Sequence, residues 1–157
     1  MERNWQIDLA KGEEAERDFA NMLKWKMKSL KYVQKVDYAD YPYDLRVTFA
    51  SDLGDVDKTV EVKSLAGGYP TGVVEVWADD NKTKRPHWHH EAVDIIAFRN
   101  EQENMWYIYD CGRVIEYLQA YEGPLTRCRN GNTDSPGWIA KFIWNEMSGF
   151  IMSFRGE

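Results

Sequence analysis

The chain has 157 residues and a formal net charge of −6, and 43% of its residues are hydrophobic. This length and composition predict one domain with a substantial core, and the acidic balance argues against a non-specific nucleic-acid coat protein, which is usually basic. Cys111 and Cys128 lack metal-ligand or disulfide-framework spacing, and the sequence contains neither a signal-peptide pattern nor an apolar run of membrane-spanning length. We therefore expect a soluble cytoplasmic protein with free thiols and no membrane partner.

Hydrophobic spacing and turn residues predict a helix and then three strands in the first part of the chain. An amphipathic helix is expected over 8–30, where Asp8 can cap the start and apolar residues recur at helical spacing. Strands are expected over 32–38, 44–49 and 59–63, with Pro42 in the turn before the second of them. Turn residues at 52–55 predict that the second and third strands form a hairpin.

The second part of the chain is predicted to contain further strands and one short helix. A strand over 72–77 precedes a polar loop over 82–90 that holds all three histidines, and two more strands follow over 93–98 and 105–109. A helix is expected over 114–121 and a polar loop over 126–137, and segments 138–144 and 150–154 suggest strands or a short closing hairpin. This order predicts an α/β fold with a mixed central sheet flanked by helices. It is expected as a single domain, with its core over about 8–121 and a C-terminal extension over 122–157.

The segment 59–63 carries the strongest chemical signal in the sequence. Side chains of a strand alternate between its two faces, so Val60 and Val62 are expected on a buried face and Glu61 and Lys63 together on the other. Asp44 heads the preceding strand and could bring a second carboxylate to the same place. Two carboxylates beside a lysine form a site for a hard cation, and such a site suits metal-assisted attack on a phosphodiester.

Two further acids are candidates for the same site. Glu16 shares a helix face with Leu23 and other apolar residues, where a carboxylate needs a partner, and Glu13 is the substitute candidate one turn earlier. Glu75 lies in a strand whose neighbouring residues are apolar, so it is either at an edge or functional. For Glu16 the alternative is an edge position that reaches solvent.

These motifs resemble the PD-(D/E)XK nuclease superfamily, whose core is helix, three strands, helix, strand. Asp44 matches the first acid of the motif, and residues 61–63 match its E-x-K half, although Pro42 stands one residue further from the acid than in the motif. Residues 11–19 are similar to the opening helix of archaeal-type Holliday junction resolvases, which carries a Gly, three residues and then Glu-Arg, so the family's helix glutamate falls on Glu16. The resemblance implies a restriction-endonuclease-like fold.

The chain is also similar to phage-encoded members of the superfamily. In those proteins an E-x-K strand is followed by a Thr-Gly turn, a strand with Glu and later an Ala-Asp, which correspond here to residues 71–75 and 92–94. The resemblance covers roughly residues 8–110, and the tail beyond Tyr121 has no counterpart. This similarity hints at a viral or mobile-element origin.

The resemblance implies a mechanism. Asp44, Glu61 and the main-chain carbonyl of Val62 are expected to bind Mg²⁺, for which Mn²⁺ can substitute, and Glu16 and Glu75 to complete or orient the shell. Lys63 is expected to hold or deprotonate the attacking water. The implied partner is DNA, and junction resolvases generally act as homodimers.

Three functional classes follow from this interpretation. The first is a Mg²⁺-dependent DNA endonuclease that acts on branched or otherwise structured DNA. The second is an exonuclease, a restriction-type enzyme or a homing nuclease of the same fold. The third is a non-catalytic nucleic-acid-binding or assembly module, against which an intact set of Asp44, Glu61 and Lys63 argues.

Other charged and aromatic groups have plainer explanations. Two groups of basic residues could contact phosphates or form solvated faces: the lysines at 24, 26, 28, 31 and 35, and residues 82, 84 and 85. His87, His89 and His90 are too few for a structural zinc site without cysteines, so a surface loop near the cleft is expected. Trp77 and Trp88 could stack on a base, but we expect them to pack within the fold.

Overall fold

The computed structural model describes residues 5–36, 40–65, 71–129 and 136–156. Its helices and strands, in chain order, are α1 Trp5–Lys26, β1 Leu30–Lys35, β2 Leu45–Phe49, β3 Val56–Leu65, β4 Thr71–Trp77, β5 Ile95–Asn100, β6 Met105–Asp110, α2 Cys111–Gln119, β7 Thr126–Arg129, β8 Pro136–Ile143 and β9 Phe150–Arg155. The α/β architecture expected from the sequence is confirmed. Positions 37 and 38 of the first predicted strand lie outside the described residues.

A six-stranded mixed sheet forms the centre of the fold, in the order β1-β2-β3-β5-β6-β9. All neighbours are antiparallel except β3 and β5, which are parallel. The predicted hairpin of β2 and β3 is confirmed, with Leu45 opposite Val60. Its turn contains Gly54 at a φ of 112°, a backbone conformation that glycine adopts without steric cost.

Helix α1 covers one face of the central sheet. Its apolar residues Ala15, Phe19, Met22 and Leu23 are buried in one cluster with residues of β2, β3, β5 and β6. The ring of Phe19 lies 5.1 Å from that of Trp106 on β6. The helix ends at Lys26 and not at the predicted 30, because a turn at 27–29 leads directly into β1.

The opposite face of the central sheet is covered by α2 and by a second sheet that was not predicted. This sheet has three strands in the order β4-β8-β7. Val74 and Val76 of β4 and Phe142 of β8 are buried with Ile96 and Phe98 of the central sheet. The two sheets and α2 therefore enclose a core of their own, separate from the one beneath α1.

The segment after residue 121 differs from its prediction in two respects. Residues Thr126–Arg129 form strand β7 where a polar loop was expected, because they pair with β8. The two predicted strands at the end of the chain are present, but they do not form a hairpin with each other. Strand β8 joins the second sheet and β9 joins β6 at the edge of the central sheet. The segment thus contributes to both sheets and to the core.

The connection between the parallel strands β3 and β5 departs from the family core implied by the resemblance. That core has a helix after its third strand. Here the described residues between β3 and β5 contain strand β4 and the loop 78–94, with no helix. Helix α2 follows β6 instead, and its first turn is capped by Asp110, whose Oδ1 accepts the N–H of Arg113 at 3.1 Å.

Candidate active site

The site lies at the start of β2. It is next to the part of β3 that extends past Val60, the last residue of β3 that is paired with β2. Asp44 immediately precedes β2, its N–H donates to the carbonyl of Val60 at 2.9 Å, and its carbonyl accepts the N–H of Val36. The side chain of Asp44 then accepts the N–H of Val62 through Oδ2 at 2.8 Å. The Asp44 carboxylate therefore accepts a backbone N–H of β3 in the place of a carbonyl from a neighbouring strand. This hydrogen bond holds the carboxylate at a defined position in the sheet.

Glu61 and Lys63 lie on the face of β3 opposite Val60 and Val62, as strand alternation predicts. The two valines are buried beneath α1, and Glu61 is only 3% exposed on the other side. Lys63 Nζ lies 3.5 Å from Glu61 Oε1 and 3.1 Å from Oε1 of Glu75 on β4. The second sheet thus brings Glu75 to the site, although β4 is not part of the central sheet.

Glu16 reaches the site from α1, on the other side of Asp44. The charge of Asp44 raises the pKa of both Glu16 and Glu61, so its carboxyl group lies close to each of them. Lys35 of β1 lies 3.6 Å from Glu16 Oε2 and equally far from Glu13 Oε1. Of the two helix acids, Glu16 is the buried one that interacts with Asp44, and Glu13 is exposed.

Burial and the nearby charge of Asp44 raise the pKa values of Glu16 and Glu61. Desolvation and the charge of Asp44 raise the pKa of Glu16 to about 7, although Lys35 opposes the shift. Burial also raises the pKa of Glu61 well above its ordinary value; Lys63 opposes this and Asp44 adds to it. Glu16 and Glu61 therefore hold their protons to higher pH than free glutamate side chains do.

Lys63 and Glu75 form an ionised pair beside the cluster. Burial alone would lower the pKa of Lys63, but the charges of Glu75, Glu61 and Asp44 outweigh it and raise the pKa. Burial would likewise raise the pKa of Glu75, yet Lys63 reverses the effect and lowers it. Lys63 is therefore a cation at neutral pH, and its ammonium is a fixed positive charge next to Glu61.

The donor set is that of a hard-cation site, although the oxygens do not converge as ligands. Oε2 of Glu16 and Oε2 of Glu61 are buried and have no hydrogen-bond partner among the described residues. A divalent cation would satisfy these oxygens and neutralise their charge. No group of three or more His, Cys, Asp or Glu in the described part of the chain is arranged as a metal site. The residues fit Mg²⁺ by chemistry and proximity, and side-chain adjustment would be needed to bind it.

The loop after β4 supplies neighbours that sequence reasoning missed. His89 was expected on a surface loop, but it is half-buried, and its Nε2 lies 3.1 Å from the carbonyl of Glu75. Desolvation lowers the pKa of His89 to about 4, so the ring is neutral at physiological pH. Trp88 is 2% exposed and packs in the core, which leaves it no face for a base. Together with Lys63, Glu75 and Phe98 it lines a cavity of about 70 Å³.

Comparisons with known proteins assign no family. No protein-family model matches the chain, and no curated protein matches it significantly. Within the described residues, no helix is long and apolar enough to cross a membrane. The function must therefore be inferred from the geometry of the site.

Proposed function

We propose that the chain is a Mg²⁺-dependent DNA endonuclease that hydrolyses phosphodiester bonds, with a restriction-endonuclease-like site. The observation that carries this proposal is the closeness of Asp44 to the buried carboxyl groups of Glu61 and Glu16, whose pKa values it raises, with the Lys63 ammonium 3.5 Å from Glu61. A fold gains nothing in stability from three adjacent carboxyl groups, so the cluster calls for a functional explanation. The resemblance to the PD-(D/E)XK superfamily supplies one.

The metal-binding role falls on the residues that converge on Asp44. Asp44 and Glu61 would hold the ion, with Glu16 and the main-chain carbonyl of Val62 completing the shell. Bound Mg²⁺ would lower the pKa of a water molecule and stabilise the negative charge that develops on the phosphate. Asp44 is held by the backbone N–H of Val62, which fixes its position before the ion arrives.

Lys63 is suited to an electrostatic role. Its pKa is raised, so the ammonium is a poor base and a good partner for a phosphate oxygen. Of the two roles suggested by the sequence, holding the water and offsetting phosphate charge is therefore favoured over removing a proton. Glu75, 3.1 Å away, orients the ammonium.

A cleavage assay tests this proposal. The wild type is incubated with supercoiled, linear, single-stranded and four-way-junction DNA in Mg²⁺, Mn²⁺ or EDTA. We expect metal-dependent cleavage that is lost in Asp44→Asn, Glu61→Gln and Lys63→Met, each checked for folding by circular dichroism. Glu14→Gln is the matched control, because Glu14 is an exposed acid on the same helix as Glu16. Unchanged cleavage by Glu61→Gln would refute the assigned site.

The same assay identifies the type of nuclease. Preference for the four-way junction, with paired cuts, would place the chain with the junction resolvases, and a homodimer would then be expected. Release of mononucleotides from linear DNA would indicate an exonuclease, and cleavage at one sequence a restriction-type or homing enzyme. These outcomes separate substrate classes without altering the roles proposed for the site residues.

Two observations favour a second candidate, a DNA-binding or assembly module without turnover. The carboxyl groups are not arranged as metal ligands in the described residues, and β4 replaces the helix of the family core between β3 and β5. If no DNA is cut with either Mg²⁺ or Mn²⁺, the module becomes the better interpretation.

A further inference from the structure

The second sheet carries two partly exposed tryptophans, each with a cation on its ring. Trp77 of β4 and Trp138 of β8 are cross-strand partners. The guanidinium carbon of Arg85 lies 3.7 Å from the ring centroid of Trp77, and Lys82 Nζ lies 4.5 Å from that of Trp138. Exposed Lys84 lies between these two cations in the sequence. We call these five residues the basic–aromatic surface.

The acids next to this surface are already engaged by other groups. Asp79 accepts the N–H groups of Thr83 and Lys84, each at 2.8 Å, and also the hydroxyl of Thr83. Asp80 forms an ion pair with Arg127 at 2.7 Å. Within the described ranges, no carboxylate lies at ion-pair distance from any of the three cations of the basic–aromatic surface. Among the described residues the three cations are thus free of direct ion pairs, while Asp79 keeps its negative charge nearby because the groups it accepts from are uncharged.

The backbone conformation at position 82 does not favour lysine. Its φ is 57°, in the left-handed region that glycine and asparagine adopt most readily. Either of those residues would meet the backbone requirement more easily than lysine. The lysine at this position places an ammonium over Trp138, so the strained conformation points to a role for the charge.

The surface begins beside the candidate active site. Trp77 lies two residues after Glu75 on β4, so their Cα atoms are at most about 7 Å apart, even though the pairing with β8 is irregular between them. Glu75 in turn contacts Lys63. By contrast, the lysines between positions 24 and 35 are partly neutralised. Lys31 pairs with Asp55, and Lys35 pairs with acids of α1.

We propose that the basic–aromatic surface binds a single-stranded segment of DNA next to the candidate active site. The exposed Lys82 and Lys84 contact phosphates, and the partly exposed Trp138 supplies the stacking platform that single-stranded nucleic acid favours. Arg85 covers the ring of Trp77 and donates to the carbonyl of Val76, so this pair supports the surface from beneath. This inference deepens the proposed function, on which it rests for the choice of DNA. Binding can be measured without cleavage, so the two proposals can fail independently.

Fluorescence anisotropy with a labelled oligonucleotide of about 20 nucleotides in EDTA tests the surface. The variant Lys82→Asn/Lys84→Gln removes two charges, and asparagine tolerates the backbone conformation at position 82. We expect about tenfold weaker binding at low salt, and a salt dependence whose logarithmic slope is smaller by about 1.4, since each phosphate contact to a single strand contributes about 0.7.

The matched control is Lys24→Gln/Lys28→Gln, which removes the same charge from exposed positions in the last turn of α1 and in the turn that follows it. We expect it to change affinity for the single strand by less than about twofold, because its charges lie away from the surface. Equal losses in both variants would overturn the proposal, since net charge alone would then govern binding. A loss confined to duplex DNA would also overturn it.

Substitution of Trp138 tests the stacking role. Trp138→Phe keeps an aromatic ring and is expected to retain most of the affinity, whereas Trp138→Leu is expected to lower it about tenfold or more. Equal affinity of the two variants would remove stacking from the proposal and leave no reason for a single-stranded ligand. If cleavage of every DNA fails while these differences persist, the nuclease assignment is wrong and the binding surface stands.

Discussion

Neutralising Glu16 should stabilise the metal-free protein in a way that depends on pH. Glu16 is mostly buried, and its pKa rises from 4.5 to about 7 because of desolvation and the neighbouring Asp44, with Lys35 in opposition. Such a rise corresponds to up to about 3 kcal/mol of stability, which is fully present below the unfolded-state pKa and is lost as the pH rises through the folded-state pKa. The ionised side chain therefore destabilises the fold above about pH 7.

The variant Glu16→Gln removes the ionisation and keeps a side chain of similar size. We expect its free energy of unfolding to exceed that of the wild type by up to about 3 kcal/mol near pH 8 and to equal it near pH 4.5, with the difference growing between these values. Urea denaturation in EDTA, followed by tryptophan fluorescence, measures the difference at several pH values.

Glu14→Gln is the control, because Glu14 is exposed on the same helix and loses the same charge. If the gain in the free energy of unfolding near pH 8 is no larger for Glu16→Gln than for Glu14→Gln, then the ionised side chain of Glu16 does not destabilise the fold. A gain that is constant with pH would have the same meaning, since helix propensity and packing do not titrate.

Four further outcomes are expected. Mg²⁺ should raise the melting temperature of the wild type and leave that of Glu61→Gln unchanged, as scanning fluorimetry would measure; equal shifts would place the ion elsewhere. Trp106→Ala should lose about 3–5 kcal/mol of stability in urea denaturation, because Trp106 is 1% exposed against Phe19, and a loss below about 1 kcal/mol would contradict this packing. Gly149→Ala should lose about 1–3 kcal/mol by the same measurement, because φ at Gly149 is 95° and an added Cβ would lie 2.9 Å from the carbonyl oxygen of Asp110. Unchanged stability of this variant would contradict the backbone conformation of Gly149. Asp110→Ala should lose about 1 kcal/mol while Asp110→Asn keeps the helix cap, and identical losses would exclude a capping role.

Local patterns were sufficient to predict the strands that carry the central site. Alternation predicted Val60 and Val62 on a buried face and Glu61 and Lys63 on the other, because a strand has only two faces; the structure shows that the buried face lies against α1. The turn after β2 predicted the hairpin, because its pairing is between neighbouring segments. The same reasoning brought Asp44 to the start of its strand, where its carboxylate reaches the backbone of β3.

Partners distant in sequence could not be predicted in this way. The apolar pattern of β4 indicates a strand, but it does not indicate the partner. That partner is β8, which follows only after β5, β6, α2 and β7 in the chain. The sequence of β7 is polar and resembles that of a loop. It forms a strand because it pairs with β8. His89 was missed for the same reason, because its burial depends on how the loop after β4 folds back on Glu75.

The late position of β8 in the chain has a consequence for biosynthesis. During translation, α1 and the first three strands leave the ribosome well before the segment that completes the second sheet. Until that segment docks, β4 lacks its hydrogen-bonded neighbour, and nothing keeps Glu75 against the Lys63 ammonium. A nascent chain that stops short of β8 would thus hold Lys63 beside Glu61 on β3 but lack Glu75, the second acid that orients the ammonium.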